Sequence, residues 1–190
     1  MVVLLIREPI CLLLCIYTAF LLSILYLFFE AFPLVFIHNH GFELQYVGLT
    51  FMGLGIGEVV GMLISRPIVA ALTNWFLRDK DREEELKKPE HRLIPAMLGA
   101  VLVPIGMFWF AFTGYASVHW IVPIIAGVPF GWGVVLVFSS VFNYLVHAYR
   151  EWSASAMAAN TFLRCVMAGG FPLFSVQVFP TRLFWLMVDV

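Results

Sequence analysis

Five side chains stand out because they carry charge or an amide inside otherwise apolar runs: Glu30, Glu58, Asn143, Asn160 and Arg164. By insertion scales an ionisable group at the centre of a hydrocarbon layer costs about 2.5–3.5 kcal/mol, so such a group is expected to face protein or a water-filled cavity. Glu58 and Arg164 each lie about a dozen residues from one end of an apolar run, which at the helical rise puts both near the middle of a bilayer. They are natural partners for an intramembrane acid–base pair. A carboxylate there can load and release a proton, as coupling in a transporter requires, or the two can form a static pair that fixes helix packing. Glu30 is followed by Pro33, and this break-prone stretch suits either a discontinuous helix lining a cavity or an acidic group at a fraying helix end.

Spacing links some of these groups. Asn160 and Arg164 are four apart and share a helix face. Ser139, Asn143 and His147 form one polar stripe, suited first to interhelical hydrogen bonds and second to substrate contact. Tyr17 and Tyr26 can line a cavity, although Tyr26 serves equally as an interfacial anchor. His38 and His40 are two ligands on a stretch expected to be a solvated outer loop, which does not make a metal site. There is no nucleophile–base–orienter set, no phosphate loop and no zinc-helix motif, so neither enzyme chemistry nor a bound cofactor is expected.

The elements that must position these groups follow from composition. The chain has 190 residues, of which 62% are hydrophobic and 12% charged, far from the balance of a soluble domain. A net charge of -1 excludes a basic nucleic-acid-binding surface as the organising feature. Cys11, Cys15 and Cys165 sit inside apolar runs and read as small hydrophobes in helix packing. The fold class is therefore all-α and polytopic, with the lipid bilayer as its solvent.

Five apolar runs are long enough to cross about 30 Å of hydrocarbon: residues 9–35, 46–72, 93–113, 120–146 and 153–179. Lys and Arg cluster in the segment 73–92 and recur at Arg150, whereas 38–43 and 114–119 have none. By the positive-inside rule the amino terminus, the 73–92 loop and the Arg150 turn are cytoplasmic, with Arg182 the lone dissenter. The dense mixed charge at 79–85 reads as a solvated linker. Gly53, Gly57 and Gly61 recur at four-residue spacing in the second run, and Gly127 and Gly131 in the fourth. Such small-residue stripes let another helix approach closely. The third run has no ionisable residue and should lie on the lipid-facing periphery.

Several separate motifs, in order, carry a family resemblance. They are YLFFEAFP at 26–33, PEHRL at 89–93, SVHWIVP at 117–123, Asn143-Tyr144, AANTFLR at 158–164 and GGFPLF at 169–174. Together the chain resembles the carboxy-terminal half of fungal drug:proton antiporters of the major facilitator superfamily, a group of multidrug and polyamine exporters. That resemblance implies that the five runs are helices seven to eleven of a twelve-helix transporter, with the seventh and tenth lining the cavity. It further implies a proton gradient as the coupling ion, a small organic substrate, and a plasma-membrane location. A six-helix amino-terminal half would be the missing partner, and the chain is expected to be a partial transporter. The alternative is a non-transporting membrane subunit or remnant whose helices simply pack.

Overall fold

The computed structural model describes residues 8–76, 89–115 and 118–178, and those residues form helices joined by short turns. Helix α1 spans Pro9–His40, α2 Leu44–Thr50, α3 Met52–Phe76, α4 Ile94–Thr113, α5 Ile121–Ala148 and α6 Ser153–Val178. Single 3-10 turns at Pro89–Leu93 and Arg150–Trp152 lead into α4 and α6. Most of the charged 73–92 loop, including 79–85, lies outside the described residues, as does Arg182.

Pro9 opens α1, where a residue without an N–H costs nothing and the fixed φ suits the helix. The helix ends at Gly41, whose φ of 65° is the left-handed conformation that glycine adopts without a side-chain clash. Phe42 N–H then bonds back to the Phe36 carbonyl at 3.1 Å and satisfies one of the last orphan acceptors. Two expectations are corrected here. Pro33 does not interrupt α1, which runs on through it, and 38–40 form the final turn of that helix rather than a loop. Apolar packing on both sides of Pro33 explains its tolerance: Phe32 and Phe36 are fully buried. The second apolar run is divided at Phe51, between α2 and α3.

Helix α5 is the centre of the bundle. On one side α3 lies against it through glycines. A Cβ at Gly53 would fall 2.2 Å from the Ile124 carbonyl oxygen, and one at Gly57 would fall 2.4 Å from that of Val128. At Gly61 the obstacle is the Trp132 ring, again at 2.4 Å. The α5 side of the seam is built alike: a Cβ at Gly131 would meet the Leu54 carbonyl oxygen at 2.7 Å, and one at Gly127 the Leu54 nitrogen at 3.2 Å. Backbones approach this closely only where side chains are missing. A second glycine seam joins α4 to α5: a Cβ at Gly99 would sit 2.6 Å from the Gly133 carbonyl oxygen, and one at Gly106 would sit 2.7 Å from Phe130. The outer face of α4 exposes Met97, Val101, Phe108 and Phe112, as suits a peripheral helix.

Helix α1 packs in two registers. Its first half lies along α6, and its second half meets α5 and α4 through stacked rings. Phe28 stacks on Phe130 with centroids 4.3 Å apart, and Phe32 stacks on Phe110 at 4.7 Å and on Phe51 at 5.1 Å. Among the described residues, four stretches are long and apolar enough to cross a membrane: Pro9–Ile37, Gln45–Ser65, His91–Thr113 and Ile121–Ala148. Helix α6 is 26 residues long, but small residues, Asn160 and Arg164 dilute its apolar character.

Candidate functional site

The first turns of α6 are rich in Ser and Ala, so α1 comes close enough for polar side chains to meet. Thr18 and Asn160 are both fully buried at that seam. Asn160 Nδ2 donates to Thr18 Oγ1 at 3.2 Å. The Thr18 hydroxyl donates to a carbonyl of its own helix, Leu14 at 3.0 Å or Cys15 at 3.1 Å, and Asn160 Oδ1 lies 3.4 Å away. Cys11 and Cys15 are buried, whereas Cys165 is exposed. The node thus ties α6 to α1, and a bond of this kind is typically worth about 0.6–2 kcal/mol inside a bilayer.

One turn beyond Asn160, Arg164 faces α5 instead. Its guanidinium carbon sits 5.4 Å from the Phe138 ring centroid and 5.2 Å from that of Phe142. The two rings are themselves stacked, 5.9 Å apart. Their negative faces stabilise the cation, a contribution of roughly 0.5–2 kcal/mol depending on desolvation. Arg164 Nε is buried and has no hydrogen-bond partner among the described residues.

Glu58 lies on α3, half-buried beside α5: a Cβ at Gly131 would be 3.4 Å from its Cγ. The structure does not bring Glu58 and Arg164 together. Gly131 marks the level of Glu58 along α5, and Phe138 and Phe142 mark that of Arg164, a separation of about 10–16 Å at the helical rise. Side-chain direction widens the gap. Helical side chains lean toward their own N-terminus, and α3 and α6 both meet α5 but present Glu58 and Arg164 at different levels of it, so the expected pair does not form. Glu30 is half-buried on α1 and engaged in an interaction of its own.

The polar stripe of α5 is exposed. Ser139 and Asn143 make no side-chain hydrogen bond among the described residues, and His147 Nδ1 lies 2.9 Å from the Asn143 carbonyl oxygen. Among the described helices the stripe makes no interhelical hydrogen bond. Tyr17 and Tyr26 are likewise on exposed faces, at 37% and 42%. At the end of α5, Tyr149 donates from its hydroxyl to Glu8 Oε2 at 3.4 Å, closing the start of α1 onto the end of α5. Burial, with the Cys11 and Glu8 side chains beside it, pushes the Tyr149 hydroxyl up to about 12. Thr18, Phe138, Phe142 and Tyr149 were not singled out by sequence reasoning. Four-residue spacing of Phe138 and Phe142 was the one signal available for the ring pair.

This arrangement of apolar helices around a few buried polar groups is matched by the sequence profile of the Major Facilitator Superfamily over residues 2–172. The chain belongs to that superfamily, a family of membrane transporters and not of enzymes. It is 49% identical over 176 residues to efflux pump atB of Aspergillus terreus, an alignment covering 90% of this chain and 37% of the pump. It is 45% identical to the probable drug/proton antiporter YHK8 of Saccharomyces cerevisiae, with 93% of this chain and 34% of that protein covered. Efflux pump FUB11 of Gibberella fujikuroi is 43% identical, with 93% and 30% covered. The chain thus spans about a third of the length of these curated relatives. No solved structure matches it.

Proposed function

We propose that this chain forms helices seven to eleven of a proton-coupled exporter of small organic molecules, working with a six-helix amino-terminal half. The single observation that carries the reading is the separate placement of two unlike ionisable groups, Glu58 at Gly131 and Arg164 at Phe138 and Phe142. Unlike charges held apart inside a bilayer are costly unless each has work to do there. Glu58 carries the exchanged proton and Arg164 faces the substrate side. Glu30, Asn143 and Asn160 complete the lining and support of that pathway. Helix α6 is the fifth span, and the protein resides in the plasma membrane with its amino terminus in the cytoplasm. Drugs and polyamines are the substrate classes suggested by the resembling group, and two relatives are named as efflux pumps.

The test is export from a drug-sensitive yeast expressing this chain together with the amino-terminal half of a resembling efflux pump. Glu58→Gln should abolish proton-driven export while leaving expression unchanged. Full export by Glu58→Gln would remove Glu58 from the coupling step, and no export by any pairing would favour a non-transporting subunit. Orientation is tested separately, with single cysteines at Asp81 and Asn39 on a cysteine-free background. An impermeant thiol reagent on intact cells should label Asn39 and spare Asp81.

A further inference from the structure

We propose that Trp132 is the positioning residue for Glu58: its indole N–H donates to the Glu58 carboxylate when that group is ionised and lets go when it takes a proton. The proposal rests on the exporter reading and deepens it, since Glu58 is the proton carrier there. It starts from a donor held inside a helix seam. Trp132 Nε1 is buried and has no hydrogen-bond partner among the described residues. A Cβ at Gly61 would fall 2.4 Å from the ring atom Cδ1, to which Nε1 is bonded, so the donor lies between α3 and α5 at the Gly61 level. An indole N–H can only donate, and a buried donor left open is costly enough to call for an acceptor in another state of the site.

Two polar side chains flank that level of α3. Glu58 precedes Gly61 by three positions and Ser65 follows it by four, spacings that make neighbours on one helix surface. Ser65 donates its hydroxyl proton to the Met62 carbonyl oxygen at 2.9 Å and is a neutral acceptor. Glu58 is half-buried, and its Cγ lies 3.4 Å from where a Cβ on Gly131, the residue before Trp132, would stand. Helices α3 and α5 run in the same direction, since Gly53, Gly57 and Gly61 meet Ile124, Val128 and Trp132 in ascending order. Trp132, leaning toward the start of its own helix, therefore leans toward the Glu58 level. Rotation about the Glu58 side-chain bonds brings the carboxylate to the N–H. A charge-assisted bond to a carboxylate is about twice as strong as one to a neutral group, so this donor tells the two protonation states apart. The other ionisable residues of the packed helices lie farther along the chain. They are Tyr46 on α2, Arg66 two turns past Glu58, and Tyr144 and His147 three turns or more past Trp132, while α4 has none.

The test uses the full chain in lipid nanodiscs, isotope-labelled at the indole nitrogens and followed by nitrogen–proton correlation NMR. The chain holds six tryptophans, and the Trp132 signal is the one lost in Trp132→Phe. The titration runs from about pH 4 to about pH 9, the range in which solvated and buried carboxylates ionise. The Trp132 proton signal should move downfield as pH rises, as a stronger hydrogen bond requires. Glu58→Gln should abolish that movement while the other indole signals keep their places, and Ser65→Ala should leave it intact. A Trp132 signal that stays put across the range overturns the proposal. So does movement that survives Glu58→Gln or is lost in Ser65→Ala. The two levels fail differently: a Glu58-dependent indole titration without proton-driven export sinks the exporter reading alone, whereas proton-driven export with a silent indole sinks the Trp132 contact alone.

Discussion

Thr18 of α1 and Asn160 of α6, 142 positions apart in sequence, are both fully buried and share a 3.2 Å hydrogen bond. This bond fixes how α6 is rotated, and hence where Arg164, one turn further on, points. Removing either partner leaves the other with fewer bonds in a dry seam. Thr18→Val and Asn160→Leu, combined in a double-mutant cycle on SDS-induced unfolding, should couple by about 0.6–2 kcal/mol. Strict additivity would mean that the bond contributes nothing to holding the two helices.

The glycine seam makes a sharper prediction because it contains its own control. A methyl at Gly57 meets the Val128 backbone, whereas a methyl at Gly55, two residues earlier, meets nothing within 4 Å. Gly57→Ala should destabilise the bundle by about 1–3 kcal/mol through overpacking, and Gly55→Ala should not destabilise it. Equal effects in the same unfolding assay would deny the close approach of α3 to α5.

How much of this was legible in the sequence follows from what each feature depends on. Helix existence and the glycine face of α3 depend on local spacing, so apolar runs and the Gly53, Gly57 and Gly61 stripe marked a close helix contact, whereas α5 as the partner depends on tertiary pairing. The α4–α5 seam at Gly99, Gly106 and Gly133 lacks a regular four-residue repeat and went unnoticed. Pro33 misled because a local rule about helix breaking is overruled by the ring packing around it. Glu58 and Arg164 misled for another reason. Depth counted from helix ends ignores which neighbour each helix has and which way its side chains lean. The Thr18–Asn160 bond depends on tertiary pairing alone, which one sequence does not record.

Separation of the two charges has a measurable consequence. With about 10–16 Å of α5 between their levels and no shared partner, Glu58→Gln and Arg164→Gln should be additive in stability to within about 0.5 kcal/mol. A coupling above 1 kcal/mol, read from the same SDS unfolding curves, would restore a direct pair.

Tyr149 gives a pH dependence with a definite sign. Its hydroxyl rises from 10.0 to about 12, chiefly through burial, so the folded state holds the proton where the unfolded chain has released it. Stability from this group is therefore complete below pH 10 and is lost as pH rises toward 12. Ultraviolet titration should show one tyrosine ionising late, and Tyr149→Phe should remove that late step. A titration unchanged by Tyr149→Phe would contradict the burial of this hydroxyl against Glu8.

Reconstituted transport tests the central claim most directly. Proteoliposomes would carry either this chain alone or this chain paired with the amino-terminal half of a resembling efflux pump, under an imposed proton gradient, with a drug substrate of that pump as the reporter. The account predicts gradient-driven movement by the pair, lost in Glu58→Gln, and none by the chain alone. Movement by the 190-residue chain alone at the rate of the pair would contradict it.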